Sequence, residues 1–135
     1  MKKFIIISAA VLATVAALVL CWFCLTIRVR LSETEVATLT YKEKGQNIEV
    51  TLTQEEAAAV AKILNGKLLL WDGGSSCGFS TDVSITIDGT TYCLAMDKCG
   101  AMQIAHTAKG IHLTDAQRAE IEAIFEKYGG TFPCI

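Results

Sequence analysis

The sequence predicts an α+β fold: an N-terminal transmembrane helix, then a small antiparallel β-sheet domain with two helices on one face, whose halves look like a two-fold internal repeat. Three observations lead there. One uncharged run, Phe4 to Ile27, opens the chain. Capping boxes at Thr53 and Thr114 each follow a stretch of alternating apolar and polar residues. The dipeptide Asp88-Gly89 separates two further alternating stretches, the pattern of a tight hairpin.

The apolar run is 24 residues long. As a helix it would span roughly 36 Å, enough for a bilayer core of about 30 Å with some tilt. The expectation is an uncleaved anchor over residues 1–30 and a domain over residues 31–135. A cleaved signal sequence is the alternative, giving a secreted domain, because Val15 and Ala17 form a small-x-small site. Cleavage there would leave Leu18 to Leu25 as an exposed apolar tail, which favours retention. Lipidation at Cys21 is disfavoured because Leu20 stands where a small residue is needed. Lys2 and Lys3 before the run and Arg28 and Arg30 after it barely set an orientation. A short tail is easily left in the cytoplasm, so the domain is expected on the extracytoplasmic side of a cell membrane, after a single pass.

The elements then follow in order. Glu33 to Lys42 reads as a strand, with Ala37, Leu39 and Tyr41 alternating. Ile48, Val50 and Leu52 mark a second. Thr53 and Glu56 form the first capping box, and a helix runs to Asn65 with Val60, Ile63 and Leu64 on one face. Gly66 stops it as a left-handed residue. Lys67 to Asp72 is a short apolar strand. The Asp88-Gly89 hairpin aligns Val83, Ile85 and Ile87 with Tyr92, Leu94 and Met96 on one face. Met102 to His106 and Ile111 to Leu113 are further short strands. Thr114 and Gln117 form the second box, and its helix runs to about Tyr128 with Ile121, Ile124, Phe125 and Tyr128 as the buried stripe.

A shift of 61 positions superposes the two boxes: Thr53 falls on Thr114, Val60 on Ile121, Ile63 on Ile124 and Leu64 on Phe125. Val50 and Leu52 fall on Ile111 and Leu113. Two unrelated strand-to-helix junctions using the same chemistry would look alike, so a repeat is one of two explanations.

Of six cysteines, Cys21 and Cys24 lie in the apolar run, and Cys77, Cys93, Cys99 and Cys134 lie in the domain. Four cysteines in a small exported domain read as two disulfides, each adding about 2–4 kcal/mol. Extending the hairpin register sets Cys77 almost opposite Cys99 if a bulge near Gly78 absorbs one residue. Cys93 is then left for Cys134, one of the three pairings that four cysteines allow.

From Arg28 onward there are 10 basic and 14 acidic residues, a net charge of −4, dispersed along the chain. That argues against a nucleic-acid partner and against electrostatic docking on anionic lipid. Gly74-Ser75-Ser76-Cys77-Gly78 matches G-x-S-x-G, but a strand or loop follows instead of a helix and the domain is too small for a hydrolase fold, so it reads as a glycine-rich turn holding a disulfide. His106 falls in phase with Met102 and Ile104, at the rim of the core, while His112 has the opposite phase, so no shared metal site is expected. The spacing of the four domain cysteines does not suit zinc either. Asp72, Asp82, Asp88 and Asp97 read as loop and turn acids, and no cofactor is implied.

These readings point to a non-enzymatic, membrane-anchored binding module outside the cytoplasm. An inhibitor, an immunity-type protector or an accessory protein would fit, with a protein partner. The loop from Trp71 to Phe79 is its expected contact surface, through Trp71, Asp72 and Phe79, because aromatics at its ends and glycines between them allow close approach. The alternative is a membrane-tethered thiol–disulfide oxidoreductase using the Cys21-x-x-Cys24 pair or an exposed pair in the domain.

Overall fold

The computed structural model describes residues 2–32, 36–71, 78–97 and 99–130, with the side chains of 2–6 and 24–26 excepted. Cys77, Cys134, Asp72 and the G-x-S-x-G serines therefore lie outside the described residues. The protein is α+β, with three helices and an antiparallel sheet of seven strands. In chain order the elements are α1 (Lys2–Thr26), β1 (Ala37–Glu43), β2 (Gln46–Thr51), α2 (Gln54–Leu64), β3 (Leu70–Trp71), β4 (Phe79–Ile87), β5 (Thr90–Ala95), β6 (Ala101–Ile104), β7 (Lys109–His112) and α3 (Asp115–Lys127). The strands lie side by side as β2-β1-β4-β5-β6-β7-β3.

Every described side chain of α1, from residue 7 to residue 23, is exposed. Among the described residues no helix is long and apolar enough to cross a membrane. Residues 7–23 rise only about 25 Å, short of a bilayer core. The transmembrane helix expected over Phe4 to Ile27 is thus not met by the part of α1 whose side chains are described.

Alternation sets the sheet's two faces. Ala37, Leu39, Tyr41, Val83, Ile85, Ile87, Tyr92, Leu94, Met102 and Ile111 form one core with Val60, Leu64, Ile121 and Phe125 of α2 and α3, so both helices cover the same face. Both capping boxes form as expected. Thr53 Oγ1 accepts from Glu56 N–H (3.3 Å) and Glu56 Oε2 accepts from Thr53 N–H (3.0 Å); Thr114 and Gln117 repeat both bonds at 3.3 and 3.0 Å. The Asp88-Gly89 turn has φ of 49° and 66°, positive at both central positions, and sets Ile87 opposite Thr90. Lys44-Gly45 makes the same two-residue turn between β1 and β2.

Several boundaries move. The strand expected from Glu33 begins at Ala37. Of the strand expected over Lys67 to Asp72, the described residues form Leu70–Trp71 plus a single bridge between Arg28 and Leu68. The strand placed over Met102 to His106 ends at Ile104. His106 stands exposed in the β6–β7 turn with φ of 59°, rather than at the rim of the core. The register slip in the β4–β5 hairpin lies between Phe79 and Ser84, and it moves the sum of paired numbers from 177 to 174. That is three residues, not the one assumed when Cys77 was set opposite Cys99.

One connection has no counterpart in the sequence patterns. Residues 27–31, directly after α1, are sewn into the domain. Ile27 N–H bonds back to Phe23 O (3.2 Å), while Ile27 O accepts from Leu69 N–H (2.6 Å). Val29 N–H donates to Lys67 O and Val29 O accepts from Gly66 N–H, both at 2.9 Å. The Asn65 amide closes the far end, accepting from Leu31 N–H and donating to Leu31 O at 2.8 Å each. Val29 itself is buried in the core.

Candidate functional site

Two surfaces and a set of polar side chains are candidates. The first surface is the sheet face turned away from the helices. The register sets Thr51 beside Thr38, Thr38 beside Thr86, and Thr86 beside Thr91. Four threonines from four adjacent strands thus stand in one row, about 5 Å apart. Thr51 is exposed and the other three are half-buried. The Thr86 and Thr91 hydroxyls share a hydrogen bond of 2.8 Å. Charges appear only at the margin: Glu49 lies beside Thr40, and Lys42 pairs with Asp82 at 3.1 Å. Further along the same face Ser84, Cys93, Ala95 and Ala101 are buried.

The second surface is the β3 edge. Trp71 is 79% exposed, and Leu68 and Leu70 are 43% and 44% exposed. Trp71 pairs with Lys109, and Leu70 with Gly110. Phe79 is half-buried on β4, with β5, β6 and β7 between it and β3. Trp71 and Phe79 are therefore roughly 19 Å apart by strand spacing. The structure does not bring these two members of the expected contact surface together, and Asp72, the third, lies outside the described residues.

The acids have local explanations. Asp88 occupies its turn, Asp82 its ion pair, and Asp97 Oδ1 accepts from Cys99 N–H (3.0 Å). Glu56 collects the most partners: besides the capping box it accepts from Lys127 Nζ (2.6 Å), Tyr128 OH (2.7 Å) and Thr53 Oγ1 (3.0 Å). The Lys127 hydrogen bond first, then that from Tyr128, lowers its pKa to about 2. The same carboxylate raises the pKa values of Lys127 and Tyr128. Composition hid this hub, although Glu56 already stood out as the third helical residue of its box.

Arg118 was not foreseen as a core residue. Its guanidinium donates to the Cys99 carbonyl and to Glu122 Oε1 (2.6 Å), bracing the β5–β6 connection from α3. Among the thiols, Cys21 is exposed on α1. Cys93 is 3% exposed, and burial raises its pKa, the opposite of what a redox nucleophile needs. No disulfide joins two described residues. No family model, curated protein or solved structure matches the chain.

Proposed function

We propose that this chain is a membrane-attached interaction module, an inhibitor, immunity-type or accessory protein, whose domain stands outside the cytoplasm and takes a protein partner on its helix-free sheet face. The observation that carries this is the row Thr51–Thr38–Thr86–Thr91. A sheet face that only meets water tolerates long charged side chains, and this row has none. Threonine has little rotamer freedom to lose on contact. An uncharged centre with charges at its margin, here Glu49, Lys42 and Asp82, is also the usual anatomy of a protein interface.

Membrane attachment rests on the whole uncharged run from Phe4 to Ile27 and on the outward exposure of every described α1 side chain. The cysteines Cys77, Cys93, Cys99 and Cys134 would pair oxidatively in that compartment.

A photo-crosslinking residue placed at Thr38 in the full chain, in intact cells, should give one discrete protein adduct. The same residue at Glu126, on the exposed side of α3, should give none. Equal labelling at both positions, or none at Thr38, would sink the proposal. Alkylation with a membrane-impermeant reagent checks the topology: domain cysteines should resist it until reduced.

A further inference from the structure

Although the domain is acidic and its basic residues are scattered in sequence, the fold gathers several of them at one edge. Arg28 bridges to Leu68, Arg30 follows two residues on, and Lys109 lies opposite Trp71. All three are exposed. Arg28 Nη1 also donates to Gly66 O (2.8 Å), which occupies one of its five N–H donors, whereas Lys67 is left out because its half-buried ammonium donates to Gln117 Oε1 (2.5 Å). Leu68, Leu70 and Trp71 are exposed at the same edge; by strand alternation Leu68 and Leu70 project from one face of it with Arg28, and Trp71 from the other with Lys109.

The place of this edge is fixed by the connection from α1. Ile27 belongs at once to the last helical turn, through Phe23 O, and to the β3 side of the sheet, through Leu69 N–H. No flexible linker separates them. Trp22 and Phe23, 73% and 62% exposed, lie one turn before Ile27. The end of the apolar helix and the β3 edge therefore bring aromatic, aliphatic and cationic groups to one edge of the sheet, on both of its faces. That is the composition that settles at a bilayer's headgroup region: aromatic rings at the boundary, apolar side chains below them, and cations on phosphate.

We propose that the β3 edge is a seat for an anionic phospholipid surface, with Leu68, Leu70 and Trp71 entering the headgroup–acyl boundary and Arg28, Arg30 and Lys109 pairing with lipid phosphates. This rests on the membrane-attached reading above and deepens it. The seat would hold the domain against the membrane at β3 and leave β2, six strands away across the sheet, pointing outward.

The test uses the full chain with Trp22→Phe, so that Trp71 is its only tryptophan, reconstituted into phosphatidylcholine vesicles with and without about a third phosphatidylglycerol. Lipids brominated near the headgroup should quench Trp71 fluorescence in the anionic vesicles. Combined reversal, Arg28→Glu, Arg30→Glu and Lys109→Glu, should reduce that quenching several-fold, as should high salt. The complementary Trp71→Phe chain reports on the anchor through Trp22, and its circular dichroism checks folding. Trp22 quenched by mid-chain bromines while Trp71 stays unquenched would overturn the seat and leave the anchor standing. Trp71 quenched without Trp22 would keep the seat and overturn the anchor. Equal Trp71 quenching in neutral vesicles would overturn the anionic assignment. A crosslinker at Trp71 that captures a protein rather than lipid would give this edge to a partner chain and overturn the seat as well.

Discussion

The units β1–β2–α2 and β6–β7–α3 share one local plan and differ in what surrounds it. Each is a hairpin, a threonine cap and a helix, and equivalent positions lie 61 residues apart. The equivalence extends to a contact between the units. The third helical residue of each box, Glu56 or Gln117, accepts a bond from a side chain just beyond the other helix. Tyr128 OH reaches Glu56 at 2.7 Å, and Lys67 Nζ reaches Gln117 at 2.5 Å. Positions 56 and 117, and positions 67 and 128, are themselves 61 apart. The helices thus brace each other reciprocally.

The differences are as informative. The first unit uses a carboxylate and draws Lys127 as well; the second uses a neutral amide. Ala57, small and buried, corresponds to Arg118, which ties the β5–β6 connection to α3. The first hairpin turns in two residues, Lys44-Gly45, and the second takes four, Ala105 to Ala108. Only the first unit receives the connection from α1. The same local plan can therefore close two helices while each unit is adapted to a different neighbour.

The comparison is tested most strongly in the core. Phe125→Ala should cost about 3–5 kcal/mol and its equivalent Leu64→Ala about 2–5 kcal/mol in urea unfolding, since both side chains are fully buried. If one of the two is nearly silent, the units do not share one core.

An intermediate effect is expected at the third helical positions. Glu56→Gln should destabilise more than Gln117→Ala, which should lose about 1 kcal/mol with its cap and brace. Only the Glu56 effect should depend on pH. Its folded pKa, about 2, lies below the ordinary 4.5, so its stabilisation is present above pH 4.5 and is lost as pH falls toward 2. The gap in melting temperature between the parent and Glu56→Gln should close over that window. A gap that stays constant would mean that the carboxylate charge contributes nothing.

The smallest effects should be equal. Thr53→Ala and Thr114→Ala each remove one cap and should each cost about 1 kcal/mol. A clear inequality in denaturant midpoints would show that the local plan is shared only in outline.

The sequence by itself determined the elements whose causes are local. The capping boxes at Thr53 and Thr114 close within four residues, the Asp88-Gly89 turn needs only its own two dihedral angles, and the alternation of Ala37, Leu39 and Tyr41 requires only a pleated strand with one wet face. Tertiary structure decided what depends on distant partners. The strap from Ile27 to Leu31 carries no period, because its bonds are to residues 65–69 and not to its own neighbours. His106 left the core rim for a turn because β6 ends at Ile104, which pairing with Tyr92 and not the alternation of apolar residues decided. The threonine row was present in the sequence as four separated letters at 38, 51, 86 and 91, and only the order β2-β1-β4-β5 lines them up. Trp71 and Phe79, close in sequence, were parted by the three strands that the sheet order puts between them.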